Sequence, residues 1–164
     1  MTTPVVMYEE EYALLKNVIA RLCTDSNAKF VFLVDKNGQQ IAAHGDLENL
    51  DITSLASLTA GNVAATDGLA RLIGEEQGFP VLSHEGERDN IHISIVASRV
   101  ILVVIFDQRS SLGLVRLRVK RATGEMNGIF ESIDAKVKRE RDMGIAFDSP
   151  FAEITEDDID ALFN

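Results

Sequence analysis

The sequence predicts an α/β fold of the α+β sandwich kind: a five-stranded antiparallel sheet with helices on both faces, in the order α-β-β-α-β-β-β-α. Three observations predict it. Three long stretches repeat their apolar residues at helical spacing. The apolar runs between them are short and joined by tight polar turns, which makes neighbouring strands antiparallel. One run, Val100–Phe106, is apolar at every position, the mark of a central strand covered by helices on both sides.

The first helix follows from Tyr8, Tyr12, Leu15, Ile19 and Leu22, spaced four, three, four and three. Glu9, Glu10 and Glu11 fall in its first turn, where the helix dipole favours negative charge, and Asn27 ends it. Residues 29–35 are a strongly apolar strand. Asn37-Gly38 then supplies two positions that tolerate positive φ, the strongest short hairpin signal, and residues 40–44 return as a short edge strand. The string from Asp35 to Gly38 looks like the start of a calcium loop, but the glycine offset is wrong and no glutamate stands at the twelfth position.

Residues 51–74 form the helix around which the chain is organised. Asp51 or Thr53 can cap it, Gly74 closes it, and it carries only Asp67 and Arg71 as charges within its body. Leu58, Ala65, Leu69 and Leu72 make a row expected to face the core. Beside it runs a row of small residues, Ser57, Gly61, Ala64 and Gly68. Glycine inside a helix costs roughly 0.5–1 kcal/mol relative to alanine, so two on one face point to another backbone or a partner coming close. Val81–His84 reads as a brief strand, residues 90–97 as a strand with Ile91, Ile93 and Ile95 alternating, and residues 99–107 as the central strand. The last helix begins near Ser110 or Ser111 with the stripe Val115, Val119, Ala122, Met126, Ile129, Ile133 and Val137. Its charged end, residues 134–142, is expected to protrude into solvent. The organisation is then one domain, residues 1–143, followed by an acidic tail, residues 144–164, with a short amphipathic segment.

Composition restricts the function. A chain of 164 residues, 46% hydrophobic and 26% charged, has the make-up of a globular domain with a real core. Its net charge of −10 argues against nucleic-acid binding, which feeds on clustered Lys and Arg. The tail supplies most of that charge through Asp148, Glu153, Glu156, Asp157, Asp158 and Asp160, with no basic residue. Residues 109–141 lean the other way, with Arg116, Arg118, Lys120 and Arg121 as a basic patch. The patch reads as a solvated face or as a site for an acidic segment, such as the tail of another copy. The single cysteine, Cys23, reads as a small buried hydrophobe and fits a reducing compartment. The start of the chain lacks the pattern of a secretion signal, and the longest apolar run is far too short to span a bilayer, so a cytoplasmic place without membrane insertion is expected.

Catalytic chemistry is missing from the sequence. There is no phosphate-binding Gly-x-x-x-x-Gly-Lys-Ser/Thr loop, no His-Glu-x-x-His, no Cys-x-x-Cys and no Gly-x-Ser-x-Gly elbow. His44, His84 and His92 stand far apart, so no metal or other cofactor is expected. Function is therefore expected in surfaces. In the tail, Thr155–Asp158 resembles a capping box and places Ile159, Leu162 and Phe163 on one face, as anchors for a groove with a basic rim.

The element order and several strings resemble the roadblock/dynein light-chain superfamily, and within it the bacterial polarity regulators. They are Met7-Tyr-Glu-Glu-Glu11, Val31-Phe-Leu-Val-Asp-Lys-Asn-Gly-Gln39, Thr53-Ser-Leu-Ala-Ser-Leu-Thr-Ala-Gly-Asn-Val-Ala-Ala65, Val103-Val-Ile-Phe-Asp107, Ser111-Leu-Gly-Leu-Val-Arg-Leu-Arg118 and the tail from Ser149 to Asp160. The resemblance implies a homodimer that binds one small Ras-like GTPase (MglA) and stimulates GTP hydrolysis, in the control of cell polarity and gliding motility from a cell pole. It implies docking on the central helix at Ser57, Gly61, Ala64, Asp67, Gly68 and Arg71. It implies dimerisation along an edge strand, Val81, Leu82, Ser83 and His84, and a second contact from the tail through Phe151, Ile154, Ile159, Leu162 and Phe163 that affects nucleotide state or exchange. Arg71 has the placement of an arginine finger, yet the resemblance implies none, and a rim residue paired with Asp67 is expected instead. The architecture alone also permits a scaffold or ligand-sensing module without GTPase-activating function.

Overall fold

A computed structural model describes residues 6–144. The elements are α1 (Glu9–Asp25), β1 (Phe30–Asp35), β2 (Gln40–Gly45), α2 (Ile52–Ile73), β3 (Val81–Glu85), β4 (Asn90–Val96), β5 (Val100–Phe106) and α3 (Leu112–Asp142). The order is the expected one. All strand pairings are antiparallel in one sheet ordered β2-β1-β5-β4-β3, with the apolar β5 at its centre between β1 and β4.

Alternation along the strands sends side chains to two cores. On one face Val31, Leu33, Leu102, Val104 and Phe106 meet Leu15, Ile19 and Leu22 of α1 and Val115, Met126 and Phe130 of α3. On the other, Phe30, Phe32, Ile93, Ile101, Val103 and Ile105 meet Ala56, Ala60 and Val63 of α2. The sheet supplies the bulk on the α2 side and the helix supplies small residues. The β1–β2 turn is held by Asp35, whose Oδ1 accepts the backbone N–H groups of Asn37 and Gln39 at 2.9 Å each. Gly38 lies there at φ +89°, and a Cβ on it would stand 3.2 Å from Ser57 Cα, so the hairpin tip packs directly on α2.

Two expectations need correction. The row Leu58, Ala65, Leu69 and Leu72 does not face the core: the three leucines are 72%, 60% and 85% exposed, and the helix packs through Ala56, Ala60, Val63 and Ala70 instead. Because α2 is weakly polar nearly all round, periodicity identifies its apolar rows without saying which one points inward. The charged end of α3 is exposed from Lys138 to Asp142 as expected, and what needs correcting is that it is also tied to neighbouring elements. Lys136 bridges Glu11 at 2.6 Å and Glu10 at 3.1 Å, Arg99 pairs with Asp134, and the Tyr8 hydroxyl donates to Glu140 at 2.7 Å. The acidic first turn of α1 is thus matched to α3 as well as to its own dipole. No helix among the described residues is long and apolar enough to cross a membrane.

Candidate functional site: the outer face of α2 and the β3 edge

The N-terminus of α2 is capped by Asp51, whose carboxylate accepts the Ser54 N–H at 3.1 Å and the Ser54 hydroxyl at 2.6 Å. Those bonds, led by the hydroxyl, hold the Asp51 carboxyl below its ordinary pKa. Gly74 ends the helix in the left-handed conformation, with its N–H on the carbonyls of Ala70 and Arg71. Between these caps the inward face packs on the sheet, Ser57, Asn62 and Asp67 meet the neighbouring hairpin tip, β3 and the Gly78 loop, and a broad outer face remains exposed.

That outer face has two adjoining rows. The small row holds Ser57, Gly61, Ala64 and Gly68. The hairpin tip explains a small residue at Ser57. No packing among the described residues explains the glycines, because beyond the local backbone of α2 a Cβ on Gly61 or Gly68 would meet no described atom within 4 Å. The other row is the exposed Leu58, Leu69 and Leu72, extended by Ile73, and Val81 at the start of β3 adds apolar area nearby in the sequence order. Exposed apolar rows of this kind mark contact surfaces on globular domains. The missed signal is the leucine row itself, which reads as core until the alanines are seen underneath.

Asp67 and Arg71 do not behave as a pair. Asp67 is partly buried and its Oδ1 faces the Gly78 loop, at the rim of a cavity of about 370 Å³ lined also by Lys36, Val63 and Phe79. No ion pair joins it to Arg71, which is exposed. The expected i,i+4 bridge is therefore not formed, because the two side chains diverge, one toward the loop and one outward.

Strand β3 lies at the sheet edge, paired on one side with β4 from Val81↔Ser94 to Glu85↔Asn90. Val81, Ser83 and His84 are exposed and Leu82 is half-buried. His84 Nε2 lies 3.1 Å from the Asn62 amide, which links the edge strand to α2. An open strand edge is a template for pairing with another chain. The small row, the leucine row and this edge belong to one side of the molecule. The tail residues Phe151, Ile154, Ile159, Leu162 and Phe163 lie outside the described residues.

Among the described residues no group of three or more His, Cys, Asp or Glu could hold a metal. His92, on β4, is 2% exposed, and burial, with Arg116 nearby, pushes its pKa below the ordinary value. The arrangement offers a long, nearly uncharged contact surface.

Comparison with known proteins gives this surface its setting. The Roadblock/LC7 domain matches residues 14–106. The chain is 62% identical to MglB of Myxococcus xanthus, with 78% of this chain and 96% of that one covered and a TM-score of 0.73. The gliding protein MglB of Thermus thermophilus is 31% identical, over 80% of this chain and 99% of that one, also at 0.73. An uncharacterized protein of Methanocaldococcus jannaschii is 28% identical over 120 residues, 72% of this chain and 98% of its own length.

Proposed function

The chain belongs to the Roadblock/LC7 family, and from that premise we propose that it is a homodimeric regulator of a small Ras-like GTPase, MglA, whose GTP hydrolysis it stimulates without contributing a catalytic side chain. The observation that carries this reading is the outer face of α2, where glycines with no neighbour in the chain lie beside exposed leucines. Two such faces brought together at a two-fold axis form one shallow surface on which a single partner can rest close to backbone. The leucines and the β3 edge serve the dimer. Ser57, Gly61, Ala64, Gly68 and Arg71 serve the GTPase.

Stimulation then comes from shape. The helix pair presses the switch segments of the GTPase so that its own arginine and catalytic side chain reach the γ-phosphate, and Arg71 acts as a rim residue. The tail supplies a second contact that affects nucleotide state or exchange. Such a protein works in the cytoplasm, concentrated at a cell pole, in the control of polarity and gliding motility.

Phosphate release from the GTP-loaded cognate GTPase tests the proposal. The unmodified chain accelerates release, and Ala64→Arg or Gly68→Arg abolishes the acceleration while leaving the circular dichroism spectrum unchanged. Arg71→Ala retains it at saturating protein; a loss of about 10³-fold or more there would reveal an arginine finger. No acceleration by the unmodified chain would leave the scaffold or ligand-sensing reading in its place.

A further inference from the structure

We propose that, in the protein without its GTPase, the acidic C-terminal segment, residues 148–163, docks on its own chain, in the groove between α1 and the first half of α3, and leaves it to make the contact with the GTPase. This face lies across the sheet from α2 and does not depend on any GTPase partner. A groove of about 630 Å³ opens there over Leu14, Val18 and Ile129, with Arg21 and Glu125 across it. Leu14 is 45% exposed although it sits on the packed helix layer. The groove runs on toward Arg118 and Arg121, which line its continuation beside Val18, Ala122 and one acidic residue of α1, Asp25.

Charge selects the occupant. Arg116, Arg118, Lys120 and Arg121 fall within six positions of α3, with no acidic residue among them. The one carboxylate close to them on α3, Glu125, is already engaged by Arg21 at 2.6 Å and lies 3.8 Å from Arg121. Among the described residues Arg116, Arg118 and Lys120 have no ion pair, and Arg118 Nε is buried without a hydrogen-bond partner. The segment beyond Gly144 carries Asp148, Glu153, Glu156, Asp157, Asp158 and Asp160 with no base, interleaved with Phe151, Ile154, Ile159, Leu162 and Phe163. Its apolar residues suit the floor and its carboxylates suit the arginine rim.

The chain is long enough. From Gly144 back to Arg121 along a continuous helix is about 35 Å at 1.5 Å per residue, and the stretch from Gly144 to Asp157 spans up to about 43 Å when extended. Tethering holds the segment at an effective concentration in the mM range, so weak contacts suffice to fill the groove.

The test places a spin label on Asn164→Cys in a Cys23→Ala background, in the full nitrogen-15-labelled chain. At low salt the backbone amides of Leu14, Arg21, Arg118, Arg121 and Glu125 are expected to lose more than half their intensity. The loss is reversed by about 1 M salt, where the screening length falls to about 3 Å, and by Arg118→Glu/Arg121→Glu. Should that variant misfold, the salt arm decides alone. Loss confined to the outer face of α2, or no local loss, overturns the proposal. So does equal loss in a mixture of spin-labelled, isotope-free copies with isotope-labelled, spin-free ones, which would place the segment on another copy.

Discussion

Single residues carry opposite kinds of information in this chain. Gly61 and Gly68 are informative because an added Cβ would meet no described atom beyond the local backbone of α2, and His92 because it is almost wholly buried. His92 sits on β4 facing α3, opposite Ser83 on one side and Val104 on the other, and its Nδ1 has no hydrogen-bond partner among the described residues. Protonation would place a charge in a buried site near Arg116, which is why the pKa of the folded form is lowered. The unfolded chain, with an ordinary imidazole value near about 6.5, then binds the proton first as pH falls. Stability is therefore complete above that value and is lost progressively as pH falls from it toward the lowered folded value. Urea midpoints measured between pH 7.5 and 5 should decline for the unmodified protein and decline less for His92→Gln. Parallel declines would assign the effect to other groups.

Among the elements, α1 and α3 hold each other by charge as well as by core. Glu11 is 2% exposed, and its hydrogen bond to Lys136 is the main cause of its lowered pKa. A buried carboxylate that loses its only cation is left uncompensated. Lys136→Ala should therefore lower stability and speed hydrogen exchange in the last turns of α3, whereas Lys138→Ala, on an exposed position without an ion pair in the described residues, should change neither. Equal effects would deny the pair a role. The same contrast shows what could be read from sequence. The order of elements along the chain, the Asn37-Gly38 turn and the α3 stripe were legible because each rests on a local period or a local turn signal, whereas the order of strands across the sheet came only with the structure. The end of α3 was not, since a run of charges looks the same whether it meets water or the acidic turn of another helix. Nor was the inward face of α2, because Ala56, Ala60 and Val63 are less hydrophobic than the leucines on the opposite side. Sequence favours the larger apolar row for the core; the phenylalanines of β1 leave room only for the smaller one.

At the scale of the molecule, that inversion is the strongest argument that the chain does not act alone. The sheet takes Ala56, Ala60 and Val63, so Leu58, Leu69 and Leu72 stay open to solvent in a monomer, although burying each leucine is worth roughly 1.5–3 kcal/mol. The leucines are outside, and the proposed dimer is the arrangement that would bury them. The two-fold arrangement proposed for this family member repeats every substitution on both sides of the interface, which doubles its effect. Leu69→Asp/Leu72→Asp should consequently convert the protein to a monomer of 18.0 kDa by light scattering, at concentrations where the unmodified chain has twice that mass. The circular dichroism spectrum should be preserved, because neither residue touches the core of its own chain. The variant should also lose GTPase stimulation although Ala64 and Gly68 are intact, since one small row without its twin offers only half of the docking surface. A double variant that remains dimeric would move the interface to the β3 edge alone. A monomer that still stimulates hydrolysis would show that a single α2 face is enough, and the pairing of the two rows would no longer explain why the glycines are there.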